Sequence, residues 1–411
     1  MTWTPVTAIN VGLNFGDDTT PVGRLAINQG RVYFEYDATF LARGLNLSPL
    51  HLPLEPGLKT FDPHLFDGLP GVFGDSLPDG WGRLLLDRTL RQRGIMPQEL
   101  SGLDRLAHVG AYGMGALVYE PDQSETDTAL TVLNLDALAA SANEVFEGES
   151  DAVLAELLAL NGSSAGARPK VVVGVDTKRK KLVHGTATMP AGYTPWLVKF
   201  NTQQDGADAG AIEYVYSLMA KAAGLAMAEC HLFPAAQGAG YFGTQRFDRA
   251  EGERLHMHTA AGLLHANFRE PAMDYEDLLA LTTTLTRDMR DVEMMFRLAV
   301  FNVLAYNRDD HGKNFSYLMN AAGEWRLAPA YDLTFSRGPN GEQSTSVMGQ
   351  GKAPGLEHLV KLGTAGGLDK KLVEAIIAQT RDALSQWEAL AAEYGVSKAN
   401  TQLIAARLAR R

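Results

Sequence analysis

Cysteine is almost missing. The one residue, Cys230, excludes a disulfide within the 411-residue chain and suits a reducing compartment, the cytoplasm. It lies in the apolar run 228–233, where a buried, chemically quiet thiol is expected. Long apolar runs are missing too: none reaches the ~18–20 residues that span a bilayer. The N-terminus MTWTPVTAINVG lacks a basic stretch followed by an apolar core, so no signal peptide is expected, and no membrane contact. Excess positive charge is also absent. The formal charge of −11 argues against the chain itself being a general nucleic-acid binder and leaves room only for local basic patches. His256, His258 and His265 do not stand at zinc-ligand spacing and are expected in the core or on the surface.

What is present is enough apolar residue, 45%, for real cores in two or three domains. The first 36 residues read as a small antiparallel sheet. Strands are expected over 6–13 and 22–27, then a turn at Asn28-Gln29-Gly30 leads into 31–36, where Val32, Phe34 and Tyr36 alternate. Leu77-Pro78-Asp79-Gly80 is turn chemistry ahead of a helix over 81–93. Asp75 and Asp79 are expected in turn and N-cap roles, since no further metal ligands recur nearby. The glycine-dense stretch 108–121 has no Lys-Ser/Thr after its glycines, so close backbone packing explains it better than phosphate binding. Residues 1–120 form a β-rich subdomain on this reading, and the acidic stretch 121–150, with a helix over 135–146, a connector.

Chemistry gathers in the second half. Asn161 to Lys170 is a loop of small residues entering a strand at 171–175, and a second strand-like run, 194–200, carries Lys199 near its end. Small side chains let backbone N–H groups approach phosphate oxygens, and a strand lysine can hold the α- and β-phosphates. The helical pattern over 211–225 has Glu213 near its start. That carboxylate either pairs with Lys199 or simply suits the positive end of the helix dipole. Gln245, Arg246 and Phe247 stand where a chain crossing between two lobes could meet an adenine edge; an ordinary strand end reads the same way. Helices are expected over 275–285, 291–305, 370–394 and 397–409. The second of them leads to NRDDHGKNF, with Asp309 five positions before Asn314 and Asp332 beyond a hairpin that turns at Ala322-Gly323. Phosphoryl transfer needs one carboxylate to accept the proton of the attacking hydroxyl, and hard oxygen ligands for Mg²⁺. Asp309 fits the first role, Asn314 and Asp332 the second, and His311 and Lys313 add cationic side chains to the same loop. The nucleotide-binding region spans 151–245 and the catalytic region 246–411 on this reading.

Several segments in this order resemble the HipA family of bacterial serine/threonine kinases, the toxin half of HipBA-type toxin–antitoxin modules. LPDGWGR (77–83) and VGAYGMGAL (109–117) are similar to its N-terminal subdomain. SSAGARPK (163–170), WLVKF (196–200), IEY (212–214), QRFDR (245–249), DDHGKNFS (309–316) and LAPAYD (327–332) are similar to its kinase core. The resemblance implies an α+β, bilobed protein-kinase-like fold, with a β-rich N-terminal subdomain and ATP lobe and an α-helical C-terminal lobe. It implies ATP with Mg²⁺ as cofactors and a protein substrate. It makes Asp309 the base, Asn314 and Asp332 the metal ligands, Lys199 the phosphate lysine and Ala165, Gly166, Ala167, Arg168, Pro169 and Lys170 the nucleotide loop. Gln245, Arg246 and Phe247 become the adenine contacts, and His311, Gly312, Lys313, Asn314 and Tyr331 further ATP contacts. Ser163, with Ser164 beside it, stands at the family's autophosphorylation position; a phosphate there would add roughly −2 charge and expel the loop. Relatives phosphorylate aminoacyl-tRNA synthetases, notably glutamyl-tRNA synthetase, and are neutralised by a helix-turn-helix antitoxin that binds operator DNA. The chain departs from the family at Gln245, at Ile212 and at Arg168-Pro169, where Glu, Asn and Gln-Glu are commoner.

Two rival readings remain. D-x-H-x-x-N also resembles the loop of phosphatidylinositol kinases, so a small-molecule or lipid kinase is one; the lack of a polybasic or amphipathic membrane segment disfavours it. The other is a catalytically idle co-repressor, disfavoured because Lys199, Asp309, Asn314 and Asp332 are all present.

Overall fold

The computed structural model describes residues 4–16, 18–124, 132–149, 153–161, 166–184, 189–250, 252–268, 270 and 273–409. Ser163, Ser164 and Ala165 lie outside the described residues.

The first sheet holds β1 (Ala8–Asn14), β2 (Thr19–Asn28), β3 (Arg31–Tyr36) and β4 (Leu117–Glu120), in the order β3-β2-β1-β4. Gln29 and Gly30 turn the β2–β3 hairpin with positive φ at both positions, 49° and 75°, as a tight two-residue turn requires. The alternation in β3 buries Val32, Phe34 and Tyr36. β4 comes from the glycine-dense stretch. Close packing is part of its explanation, but the stretch also supplies an edge strand paired with β1 from Asn10↔Glu120 to Leu13↔Leu117.

The second sheet is antiparallel throughout and holds β5 (Lys170–Asp176), β6 (Leu182–His184), β7 (Tyr193–Lys199), β8 (Cys230–Phe233) and β9 (Tyr241–Gln245). Its order is β6-β5-β7-β9-β8. Because side chains alternate across a strand, Val171, Val173, Val175, Trp196 and Val198 turn into one core with Trp81, Leu85 and the helices Leu135–Glu147 and Leu154–Asn161. The helix inside the stretch read as a connector thus buries Leu135, Leu138, Ala139, Ala142 and Val145 against this sheet. Lys170 faces Lys199 across the β5–β7 ladder, so both amines emerge together on the opposite face.

Beyond β9 a three-stranded sheet, His256–Thr259, Ser316–Met319 and Trp325–Leu327, is surrounded by helices. Tyr275–Thr286 and Met289–Leu304 follow the predicted spans closely. Two differences stand out. The expected helix over 370–394 is two, Lys370–Ser385 and Trp387–Glu393, broken at Gln386; the break lets Trp387 bury to 2% exposure with its indole N–H on Thr401 O. The helix Leu356–Ala365 was not expected, and it begins after Gly355 with no side-chain cap to announce it. His256 and His258 are fully buried, and Cys230 is a buried free thiol.

Candidate active site

The helix Met289–Leu304 buries Val292, Met295, Phe296, Ala299, Val300 and Val303 and hands the chain to a loop tied down at several points. Asn307 Nδ2 donates to Asn302 Oδ1 at 2.9 Å. The buried Asp310 accepts from Tyr275 Oη (2.7 Å), Gln343 Nε2 (2.9 Å) and the Ser344 and Thr345 N–H groups (2.8 and 3.2 Å). Burial pushes its carboxyl up to about 6, partly countered by these donors. A short 3-10 turn, Gly312–Asn314, closes the loop, and Asn314 Nδ2 donates to Asp309 O at 2.6 Å. A Cβ on Gly312 would stand 2.1 Å from Met273 Cε and 3.1 Å from Ala261, so this glycine serves the packing beneath the loop. Asp309 itself projects outward, its side chain 61% exposed and Oδ1 4.0 Å from His311 Nε2.

Across from the loop, Lys199 Nζ lies 2.5 Å from Glu213 Oε1 and 2.5 Å from Asp332 Oδ1. Glu213 sits within the helix Ala209–Ala222 and is 3% exposed. Of the two roles open to it, the structure shows the pairing with Lys199. Burial opposes the lysine's charge, but Asp332 and Glu213 outweigh it and hold the amine above its ordinary value. The same lysine holds the Asp332 carboxyl well below the usual range. Asp332 has φ 56°, a left-handed conformation uncommon for a residue with a Cβ and tolerated best by Asn and Asp.

The loop expected to meet a nucleotide is described from Gly166 onward. Lys170, at the start of β5, is 4% exposed, and burial followed by repulsion from Lys199 lowers its amine to about 8. A Cβ on Gly166 would stand 2.3 Å from Lys170 Nζ. Arg168 and Pro169 do not line the cleft. The Arg168 guanidinium pairs with Asp205 at 3.0 Å, and Pro169 O accepts the Phe200 N–H.

Gln245, Arg246 and Phe247 line the cleft, but the Arg246 side chain is committed elsewhere. It donates to Asp248 Oδ1 and Oδ2 at 2.9 and 2.7 Å and to Gly113 O. Asp248 also receives Arg249 and the Gly115 N–H, and Arg254 donates to Ala111 O, Gly115 O and Leu117 O. These arginines fasten the glycine-dense stretch to the crossover. The backbone N–H groups of Gln245 and Arg246 are spent on Glu229 O and Pro195 O, so neither is left as a donor toward the cleft. The Phe247 ring lies 5.4 Å from that of Tyr331, whose hydroxyl is engaged with Lys313 O and Ser316 Oγ at 2.6 Å each.

A cleft of about 410 Å³ opens between these segments, a common size for a small-molecule site, and neither Asp309 nor Gly312 is among the residues that line it. Of the expected residues, Gly166, Ala167, Lys170, Lys199, Gln245, Arg246, Phe247, His311, Lys313, Asn314, Tyr331 and Asp332 line it. Leu197, Met227, Phe242 and Leu333 add apolar wall that the motifs did not announce. Asp75 and Asp79 were expected in turns and caps. Asp75 does close the short helix Gly71–Gly74 with its backbone N–H, and its carboxylate also accepts from His258 Nδ1 and from the Thr259 N–H and hydroxyl at 2.6–2.7 Å. Asp79 stands at the cap position of the helix Gly80–Gln92 without capping it, and both acids line the cleft. No group of three His, Cys, Asp or Glu suited to a metal occurs among the described residues. Asn314 and Asp332 offer an amide and a partly exposed carboxylate at the same cleft. That pair fits Mg²⁺, which keeps waters and takes the rest of its ligands from phosphate.

No helix among the described residues is long and apolar enough to cross a membrane. Over its whole length the fold is similar to that of HipA from Shewanella oneidensis MR-1, solved with HipB and operator DNA. The TM-score is 0.69 at 17% identity, covering 98% of this chain and 96% of that one. A Sinorhizobium fredii (strain NBRC 101917 / NGR234) protein named "Putative kinase Y4mE" is 29% identical over 308 residues, 69% of this chain and 68% of that protein. Residues 17–120 match the HipA N-terminal domain and residues 162–387 the HipA-like C-terminal domain, and on that extent the chain belongs to the HipA family.

Proposed function

We propose that the chain is an ATP- and Mg²⁺-dependent kinase that phosphorylates serine or threonine on a protein. The observation that carries this is Lys199, bridging Glu213 and Asp332 inside the cleft. That arrangement joins a strand lysine, a helix glutamate and a metal-type carboxylate drawn from distant parts of the sequence. Bound Mg-ATP supplies the phosphoryl group and neutralises the charge that develops as it moves. The chain's own part is positional. Lys199 and Lys170 face the phosphates, Asn314 and Asp332 offer oxygens to the metal, and Asp309 accepts the proton of the incoming hydroxyl. Its side chain is 61% exposed beside His311, and a base that must meet a second protein has to be accessible.

The finer reading follows the family. Ser163, or Ser164 beside it, is the autophosphorylation site that switches the enzyme off. The protein substrate is an aminoacyl-tRNA synthetase such as glutamyl-tRNA synthetase. The chain acts in the cytoplasm as a growth-arresting toxin, held by a helix-turn-helix antitoxin that makes most of the contact with operator DNA. The chain's own charge of −11 accords with leaving DNA to that partner.

Purified protein given Mg-ATP should gain one phosphate at Ser163 or Ser164, read by intact mass and peptide mapping, and Asp309→Gln should abolish it. Persistent labelling in that variant would remove Asp309 from the base role. Overexpression should arrest growth; an active kinase that leaves growth unimpaired would point to a non-toxin member of the family.

A further inference from the structure

Asp79 belongs to none of the kinase motifs, yet its carboxylate is set against two of them. Oδ1 accepts the Gly166 N–H at 2.6 Å, and Oδ2 accepts from Lys313 Nζ at 2.6 Å. Burial opposes its charge, but Lys313, the Gly166 N–H and, more weakly, Lys170 overcome that and hold the carboxyl below its ordinary value. The side chain is 15% exposed, and that of Lys313 8%. The turn that follows it is held to the same loop. The Trp81 N–H donates to Gly166 O at 3.0 Å and the Trp81 indole N–H to Lys170 O at 3.1 Å. Gly80 turns with φ 43°, so close to the loop that a Cβ there would stand 2.5 Å from Gly166 O.

A backbone N–H at the end of a small-residue loop, with ammonium groups around it, is the donor set a phosphate needs. Here that set already holds an anion from the chain itself. We infer that the Asp79 carboxylate is an internal stand-in for the γ-phosphate, occupying its donors until a nucleoside triphosphate displaces it. The inference rests on the kinase reading of the cleft. It makes Asp79 a positioning residue. Before nucleotide arrives it keeps the Gly166 loop and the catalytic-loop lysine at phosphate-binding separation. Once displaced, it loosens the 77–81 turn from the catalytic loop.

The test is calorimetric titration of the full chain and its Asp79→Asn variant with Mg-ATP and with Mg-ADP, alongside turnover. Asn still accepts the Gly166 N–H but brings no charge to compete. ATP should bind roughly tenfold more tightly to the variant, the scale of one charge-assisted hydrogen bond. ADP should gain clearly less, and kcat should change little, because Asp79 has already left Lys313 in the wild-type ATP complex, so KM drops alone. A purely structural role predicts the reverse for KM. Unchanged or weaker ATP binding, or equal gains for ATP and ADP, overturns the inference. Should Asp79→Asn fail to fold, Asp79→Ser likewise removes the competing charge and carries the same expectation. A wild-type chain that takes up no Mg-ATP overturns the kinase reading itself, and the inference with it.

Discussion

Both carboxylate oxygens of Asp310 are fully committed, Oδ1 to the Ser344 and Thr345 N–H groups and Oδ2 to Tyr275 and Gln343. An amide has one acceptor oxygen, so Asp310→Asn leaves buried donors without partners at about 1–3 kcal/mol. The variant should therefore unfold at lower urea while its neighbour Asp309 loses alignment and activity falls. The pH sign follows from a folded-state value of about 6 against an ordinary 3.8. The folded protein binds the extra proton, so the contribution of Asp310 is full below about 4 and is lost as pH rises through about 6. The stability deficit of the variant should be largest near pH 4, and a deficit that grew with pH would contradict this. Lys170 works in the opposite sense. Its value near 8 against 10.5 means that the unfolded chain binds more protons in that window, so stability without nucleotide rises with pH there. Phosphates favour the ammonium form, so above about pH 8 nucleotide binding must take up a proton, and affinity should fall by up to tenfold per pH unit. Calorimetry at pH 9 in two buffers of different ionisation enthalpy reads the uptake, which Lys170→Met should abolish.

At the scale of elements, the short turn ahead of the helix Gly80–Gln92 matters as much as the sheet it touches. Gly80→Ala combines a strained φ with a Cβ 2.5 Å from Gly166 O and 2.6 Å from Ala167 Cα. Backbone, not a pliable side chain, would have to move. The nucleotide loop should be pushed outward and Mg-ATP affinity should drop at least tenfold, with the far-UV spectrum unchanged; wild-type affinity would show that the loop bends freely. This turn also marks the limit of what the sequence discloses. Local spacing announced Asp309 and Asn314, whose contact runs over five residues. Strand alternation and the apolar run announced β5 and β7. The partners of Lys199 were only half legible, because Glu213 is 14 residues away and Asp332 133. Asp79 read as an ordinary turn acid, since its two contacts lie 87 and 234 residues on and nothing in Leu-Pro-Asp-Gly signals them. β4 was hidden among glycines, whose propensity argues against strands, until pairing with β1 gave it a ladder.

The whole molecule is built on two main cores that meet at the cleft. One joins the first sheet to the C-terminal helices, from Val6 and Ile9 through Phe296 to Ile404. The other lies under the nucleotide sheet and gathers Trp81, Leu85, Val171, Trp196 and the helices Leu135–Glu147 and Leu154–Asn161. Polar joints between them include Lys199 with Glu213 and Asp332, Asp79 with Lys313, Arg105 with Asp87, and Arg246 and Arg249 gripping Gly113 O. The smaller core should therefore open independently at a lower free energy than the larger one, as units with fewer buried contacts do. On the proposed reading, a nucleotide held by Lys170 and Lys199 on one side and by Asn314 and Asp332 on the other would bind only when both are folded and docked. At a free concentration 100 times Kd it adds about 2.7 kcal/mol, and the gain must appear in the less stable unit. Native-state hydrogen exchange with and without Mg-ATP should show the largest slowing in β5, β7 and the helix Gly80–Gln92, with little change in Met289–Leu304. Protection confined to the catalytic loop would mean that the nucleotide sheet is already as stable as the rest, and that the cleft does not link the two cores.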